Sequence, residues 1–136
     1  MTTLKAFLVE DSPVIRQSLI TTLEELSEVR VVGTAEDEAS AVAWLSDSDN
    51  PVDLVIIDIF LKAGSGLGVL RSIHTLALCC RLVVLTNYAT EDMRQRCLAL
   101  GASRVFDKSN EIDALIDYCG KLSSDNPATT VSGWLQ

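Results

Sequence analysis

Short uninterrupted apolar runs alternate along the chain with longer segments in which apolar residues recur every three or four positions. The runs LKAFLV, VRVVG, VDLVIIDI, RLVVLT and SRVF read as strands, the second closed by Gly33 and the third ending at Asp58. The first periodic segment, SPVIRQSLITTLEEL, predicts a helix with Ser12 as its cap, Pro13 in its first turn, and Ile15, Leu19, Leu23 and Leu26 on one face. Residues 36 to 46 predict a second helix with acids in its first turn. A glycine-rich loop, KAGSG, leads into a short helix carrying Leu67, Leu70 and Ile73. Residues 90 to 100 form a helix ended by Gly101. The segment NEIDALIDYCGKL forms the last one, with Asn110 as cap and Ile112, Leu115, Ile116, Cys119 and Leu122 facing inward.

Five strands, each followed by a helix, predict an α/β domain. Its sheet is doubly wound, five-stranded and parallel, with helices on both faces. The runs LVII and LVVL, apolar throughout, suit central strands buried on both sides. Residues 1 to 122 make the domain, and residues 123 to 136, SSDNPATTVSGWLQ, read as a flexible tail in which Trp134 and Leu135 are fraying residues rather than the alternative, a small docking element. There is no internal repeat.

Charge narrows the partners. A net charge of −8 argues against general affinity for nucleic acid or an anionic membrane, and suits divalent cations or a basic partner surface. No run of apolar residues is long enough to span a bilayer, and the start, MTTLKAFLVEDS, lacks the features of a secretory signal. A cytoplasmic setting with reduced thiols is therefore the expectation for Cys79, Cys80, Cys97 and Cys119, whose spacing matches no zinc or redox pattern. Cys97 and Cys119 fall on apolar helix stripes. His74, the one histidine, has no Cys or acidic neighbour at ligand spacing.

The chemistry gathers at strand ends. In an open parallel sheet, ligands bind beyond the carboxyl ends of the strands. The first strand ends at Glu10 and Asp11, the third at Asp58, the fourth at Thr86, and the fifth runs out to Lys108. Adjacent acids are ordinarily a solvated loop. Three carboxylates on one rim are a hard-cation site instead, suited to Mg²⁺, or Mn²⁺ in its place, shared with a phosphoryl group. Asp58, at the end of the central strand, is the candidate nucleophile for an aspartyl phosphate. Lys108 would supply a point charge and Thr86 a hydroxyl donor.

These motifs resemble a response-regulator receiver domain of two-component signalling. LVEDSPVIR, VDLVIIDI, LTN and GASRVFDKS stand where that family carries its acid pair, phosphoacceptor, hydroxyl and lysine, and the resemblance covers about residues 4 to 122. It implies a flavodoxin-like strand order, 2-1-3-4-5. It also implies Mg²⁺-dependent phosphorylation of Asp58 by a histidine kinase or histidine phosphotransfer protein. Mg²⁺ would be held by Glu10, Asp11, Asp58 and the backbone carbonyl of Phe60. The phosphorylated form would switch contacts with a downstream protein, or with a second copy, through the face of the fourth helix, fifth strand and fifth helix, which here carries Arg94, Arg96, Arg104 and Asp113. Such a domain is a signalling phosphoacceptor rather than an enzyme.

The sequence departs from the family at three places. Val105 stands where a switch aromatic is usual; it is too small and too stiff to report phosphorylation by swinging inward, so the loop after the fourth strand would move instead. Phe106 should face the other side of the strand. Ser109 follows the lysine where a proline with a preceding cis bond is usual, leaving a trans bond with a rearranged loop or a strained cis bond. Asn87 replaces a small residue. Phe60 and Tyr88 occupy the two positions that tune phosphoryl lifetime, and two rings there would slow hydrolysis. A receiver-like adaptor acting by protein contacts alone is the alternative. An aspartate phosphatase would need an acid at position 60, and a flavin binder would need a phosphate loop after the first strand.

Overall fold

The computed structural model describes residues 3–47, 49–76, 78 and 80–124. Strands and helices alternate as β1 (Leu4–Val9), α1 (Pro13–Leu26), β2 (Val29–Ala35), α2 (Glu38–Ser46), β3 (Leu54–Ile57), α3 (Gly66–Leu76), β4 (Arg81–Thr86), α4 (Glu91–Ala99), β5 (Arg104–Asp107) and α5 (Ile112–Ser124). All four strand pairings are parallel, in the order β2-β1-β3-β4-β5. The fold class is as the sequence pattern predicts, and the strand order is as the family resemblance implies. The tail lies outside the described residues except at its start, where α5 continues to Ser124.

Alternation along the strands divides the core in two. Phe7, Val9, Val55, Ile57, Leu82, Val84 and Val105 pack on one face with α2, α3 and α4. Ala6, Leu8, Leu54, Ile56, Val83, Leu85 and Phe106 pack on the other with α1 and α5. Burial on both faces is why these strands are apolar throughout rather than alternating. Val105 and Phe106 therefore face opposite layers, as expected. Cys97 is buried in the first layer and Cys119 in the second. Burial pushes the Cys119 thiol up to about 12, so it stays protonated and inert.

Three boundaries differ from the sequence reading. Leu26 is 66% exposed instead of lining the inner stripe with Leu19 and Leu23. Both the Ser27 N–H and its hydroxyl close on the Leu23 carbonyl, so the chain leaves for β2 before anything covers Leu26. Helix α5 begins at Ile112, which puts Glu111 rather than Asn110 in the capping position. Gly33 lies inside β2 instead of ending it. There the register with β1 shifts between Ala6 and Phe7, and the ring of Trp44 lies over the glycine while stacking on Phe7 at 4.2 Å. A Cβ at Gly33 would meet that ring at 2.6 Å. Gly33→Ala is thus expected to cost about 1–3 kcal/mol through overpacking, read from the urea midpoint; an unchanged midpoint would mean that Trp44 can move aside freely.

Candidate functional site

Topology brings the acids together. Strand β1 lies between β2 and β3, and both ladders continue past the strand ends: Glu10 N–H donates to the Ala35 carbonyl of β2 at 2.9 Å, and Asp58 N–H, just after β3, to the Val9 carbonyl of β1 at 2.9 Å. Glu10, Asp11 and Asp58 thereby offer carboxylate oxygens within 4.8 Å of one another, Glu10 and Asp58 buried and Asp11 half-buried. Helix α1 begins just beyond, capped by Ser12, whose hydroxyl accepts from the Ile15 N–H. The Ser12 N–H donates to Glu10 Oε2 at 3.1 Å, and Arg16 reaches back to the Glu10 carbonyl at 2.8 Å. Arg16 is a support that the sequence reading missed; an arginine one turn into an amphipathic helix carries no signal by itself.

Lys108 crosses from the edge strand to the same point. Its ammonium lies 2.6 Å from Glu10 Oε1 and 2.9 Å from Asp58 Oδ2, with little of any of the three side chains exposed. Burial pushes the Glu10 carboxyl above its ordinary 4.5, and the Asp58 charge adds to this; the hydrogen bonds from Lys108 and Ser12 only partly oppose it. Burial also disfavours the Lys108 ammonium, but its bonds to Glu10 and Asp58 outweigh that, and its pKa rises above 10.5.

Thr86 is fully buried at the end of β4. Its hydroxyl accepts from the Tyr88 N–H at 3.1 Å, and its carbonyl from the Lys108 N–H at 2.8 Å. The loop after β5 has no cis bond: the Lys108–Ser109 peptide is trans. The Asp107 carboxylate accepts from the Ser109 and Asn110 amides at 2.8 and 3.1 Å, and a proline at 109 would have no N–H to give. The Ser109 hydroxyl donates to Asn87 Oδ1 at 3.1 Å, so the two departures from the family pattern at 87 and 109 form one contact.

Phe60 and Tyr88 leave the loops after β3 and β4 and meet edge to face, ring centroids 4.8 Å apart, each still more than half exposed. Val105 is buried, and the space beside it is organised by Arg94. That guanidinium donates to the Ala89 carbonyl (3.1 Å), the Val105 carbonyl (2.7 Å) and the Glu111 carboxylate (3.0 Å). Arg94 is thus turned inward to tie the loop after β4 to β5 and α5, and is not a lone charge on the exposed face. Glu111 also accepts from the Asp107 N–H, and these bonds hold its carboxyl below the ordinary range. Arg104 lies over the rings of Phe106 and Tyr118.

A doubly wound parallel sheet with buried acids, a hydroxyl and a lysine converging at the carboxyl ends of its strands is the arrangement of a two-component signalling domain. The chain belongs to the response regulator receiver domain family, whose sequence model matches residues 6–119. It is 31% identical over 99 residues to the DNA-binding transcriptional activator DevR/DosR of Mycobacterium tuberculosis, covering 73% of this chain and 45% of that protein. It is 26% identical over 105 residues to the response regulator UvrY of Escherichia coli, covering 77% of this chain and 47% of that one. The chain thus spans about half the length of these curated relatives. Among solved structures it resembles the receiver domain of the Francisella response regulator 1452, with a TM-score of 0.80, 20% identity, and coverage of 90% of this chain and 98% of that one. The response regulator domain of Thermotoga maritima CheB is similar at a TM-score of 0.75, 20% identity and coverage of 88% and 98%. No helix among the described residues is long and apolar enough to cross a membrane.

Proposed function

We propose that this chain is a phosphoacceptor: Asp58 takes a phosphoryl group from a phosphohistidine of a kinase or phosphotransfer protein, and the change switches protein contacts. The observation that carries the reading is the buried Lys108 ammonium bridging Glu10 and Asp58 beside Asp11. An adaptor working by surface contacts alone has no use for three acids and a lysine gathered at the cost of desolvation.

Oxygen donors at this spacing fit Mg²⁺, which Glu10, Asp11, Asp58 and the Phe60 carbonyl would hold. When bound, that ion neutralises charge on the transferring phosphoryl oxygens. The residues do the rest. An Asp58 carboxylate oxygen attacks phosphorus, the P–N bond to the donor imidazole breaks, and the imidazole takes a proton from solvent. Lys108 then has a phosphoryl oxygen to pair with in place of the carboxylate it holds now, and the Thr86 hydroxyl, at present an acceptor, can turn to donate. A Thr86 turned toward the phosphoryl group releases the Tyr88 N–H, and so bears on the loop that Arg94 ties to β5 and α5. That gives a route to the α4-β5-α5 face without an aromatic at 105, toward a downstream protein or a second copy. Buried thiols at Cys97 and Cys119 suit a cytoplasmic setting.

Intact mass after incubation with acetyl phosphate tests the reading: a gain of one phosphoryl group that requires Mg²⁺ is the expected result. No gain at any Mg²⁺ concentration, with small donors or with histidine kinases, would favour the adaptor. The Phe60–Tyr88 pair carries a further expectation. Phe60→Asn should shorten the phosphoryl lifetime by about tenfold, equivalent to about 1.4 kcal/mol in the hydrolysis barrier. An unchanged lifetime would remove the shielding role.

A further inference from the structure

Helix α2 begins with an acid that turns away from solvent. Glu38 Oε1 accepts from the Ser65 N–H at 2.9 Å, and the Glu38 N–H donates to the Ala63 carbonyl at 3.1 Å. Beside it, Lys62 pairs with Glu36 at 2.6 Å. The start of α2 is therefore stitched to the loop that follows Asp58. That loop has made room for the carboxylate. A Cβ at Gly68 would run into the Glu38 carboxylate, and a Cβ at Gly64 into the Glu38 Cβ. Gly64 also sits at φ +77°. Gly68 is the more telling, because a glycine inside a helix is an unfavourable choice unless something must come close.

The contact is passed on toward the acids. Ser65 caps α3, its hydroxyl accepting from the Leu67 N–H at 3.0 Å, and it bridges to Phe60 across the loop. Gly66 N–H donates to the Ile59 carbonyl at 2.9 Å, and a Cβ at Gly66 would strike the Asp58 carbonyl. Holding Ser65 therefore holds Phe60 and the backbone that runs from the Asp58 carbonyl to it.

We propose that Glu38 is a positioning residue for divalent-cation binding: through Ser65 it fixes the Phe60 segment in place before the ion arrives, with Gly64 and Gly68 keeping its seat open. The inference rests on the reading of Glu10, Asp11 and Asp58 as a Mg²⁺ site. Outer partners that orient ligands are worth about 10–100-fold in metal affinity, and one that acts through backbone should fall near the lower end.

The test is Mg²⁺ titration calorimetry on the full chain, with a thermal melt of each variant. Glu38→Ala is expected to weaken Mg²⁺ binding about tenfold, and Glu38→Gln, which keeps an oxygen acceptor for the Ser65 N–H, to recover most of the loss. Gly68→Ala should weaken binding in the otherwise unchanged chain, because its methyl displaces the carboxylate. In the Glu38→Ala background the same change should leave affinity alone and raise the melting temperature, since alanine is the better helix former. A folded Glu38→Ala that binds Mg²⁺ as tightly as the unchanged chain would overturn the proposal, as would a Gly68→Ala effect equal in both backgrounds. Should Glu38→Ala not fold, Gly68→Ala decides alone, undiminished affinity counting against the proposal. Asp58→Ala separates the two readings: if it binds Mg²⁺ as well as the unchanged chain does, the cation site itself is misplaced, and the role of Glu38 falls with it.

Discussion

Asp58→Ala is expected to abolish phosphoryl uptake altogether, with no gain of mass from acetyl phosphate at any Mg²⁺ concentration. The expectation is sharper than the loss of one acid among three. Glu10 and Asp11 remain in the variant, yet neither can take over. Glu10 is buried and bound by Lys108 on one oxygen and by the Ser12 N–H on the other. Asp11 belongs to the bend that leads into α1 and not to the end of a strand. Only Asp58 stands at the end of a central strand with β1 on one flank and β4 on the other, where a phosphoryl group can lie between the acid pair and the Thr86–Lys108 side. Lys108→Ala keeps the nucleophile and removes the charge. Its uptake should fall by roughly 100-fold, since preorganised charge at the transferring group is worth about that or more. A residual gain of mass in Asp58→Ala would place the nucleophile on another residue, and peptide mapping would find it.

Much of this was legible before any coordinates, for a physical reason. Strands buried on both faces must be apolar throughout, so their polar ends stand out, and a parallel sheet puts all those ends on one rim. That rule brings Glu10, Asp11, Asp58 and Thr86 to the rim, while β5 ends at Asp107 and Lys108 stands one residue beyond it. Contacts between loops were not legible. Arg94 reads as a surface charge in helical spacing, and nothing local says that it folds back on Val105 and Glu111. Glu38 reads as an ordinary first-turn acid. The signal that could have found it lay 30 residues on, in a glycine at the third position of α3. Leu26 misled because a helical stripe says which side faces inward, not how far the covering sheet extends. Gly33 misled because a strand can run through a glycine when a large ring needs the space.

Replacing Lys108 by Met is expected to destabilise the metal-free protein by about 3 kcal/mol, the lower end of the range for breaking a buried ion pair. The side chains of Lys108, Glu10 and Asp58 are only 11%, 2% and 9% exposed, so solvent screening offers little relief. What remains is two buried carboxylates facing each other with Asp11 close by. Two conditions should restore the loss, and they separate electrostatics from packing. The first is Mg²⁺, which takes over the neutralising role; an ion at 100 times its Kd adds about 2.7 kcal/mol, close to the whole deficit. The second is acid. The Glu10 carboxyl already titrates above 4.5 through burial, and loss of the ammonium moves it further in the same direction. A folded-state pKa raised above the unfolded value means that the ionised group weakens the fold. The penalty is therefore full above the raised pKa and fades as pH falls through it toward 4.5. Urea unfolding in EDTA at neutral pH, in EDTA at mildly acid pH, and with saturating Mg²⁺ reads all three states. A deficit that persists unchanged across them would mean that Lys108 matters here for its packed methylenes and not for its charge.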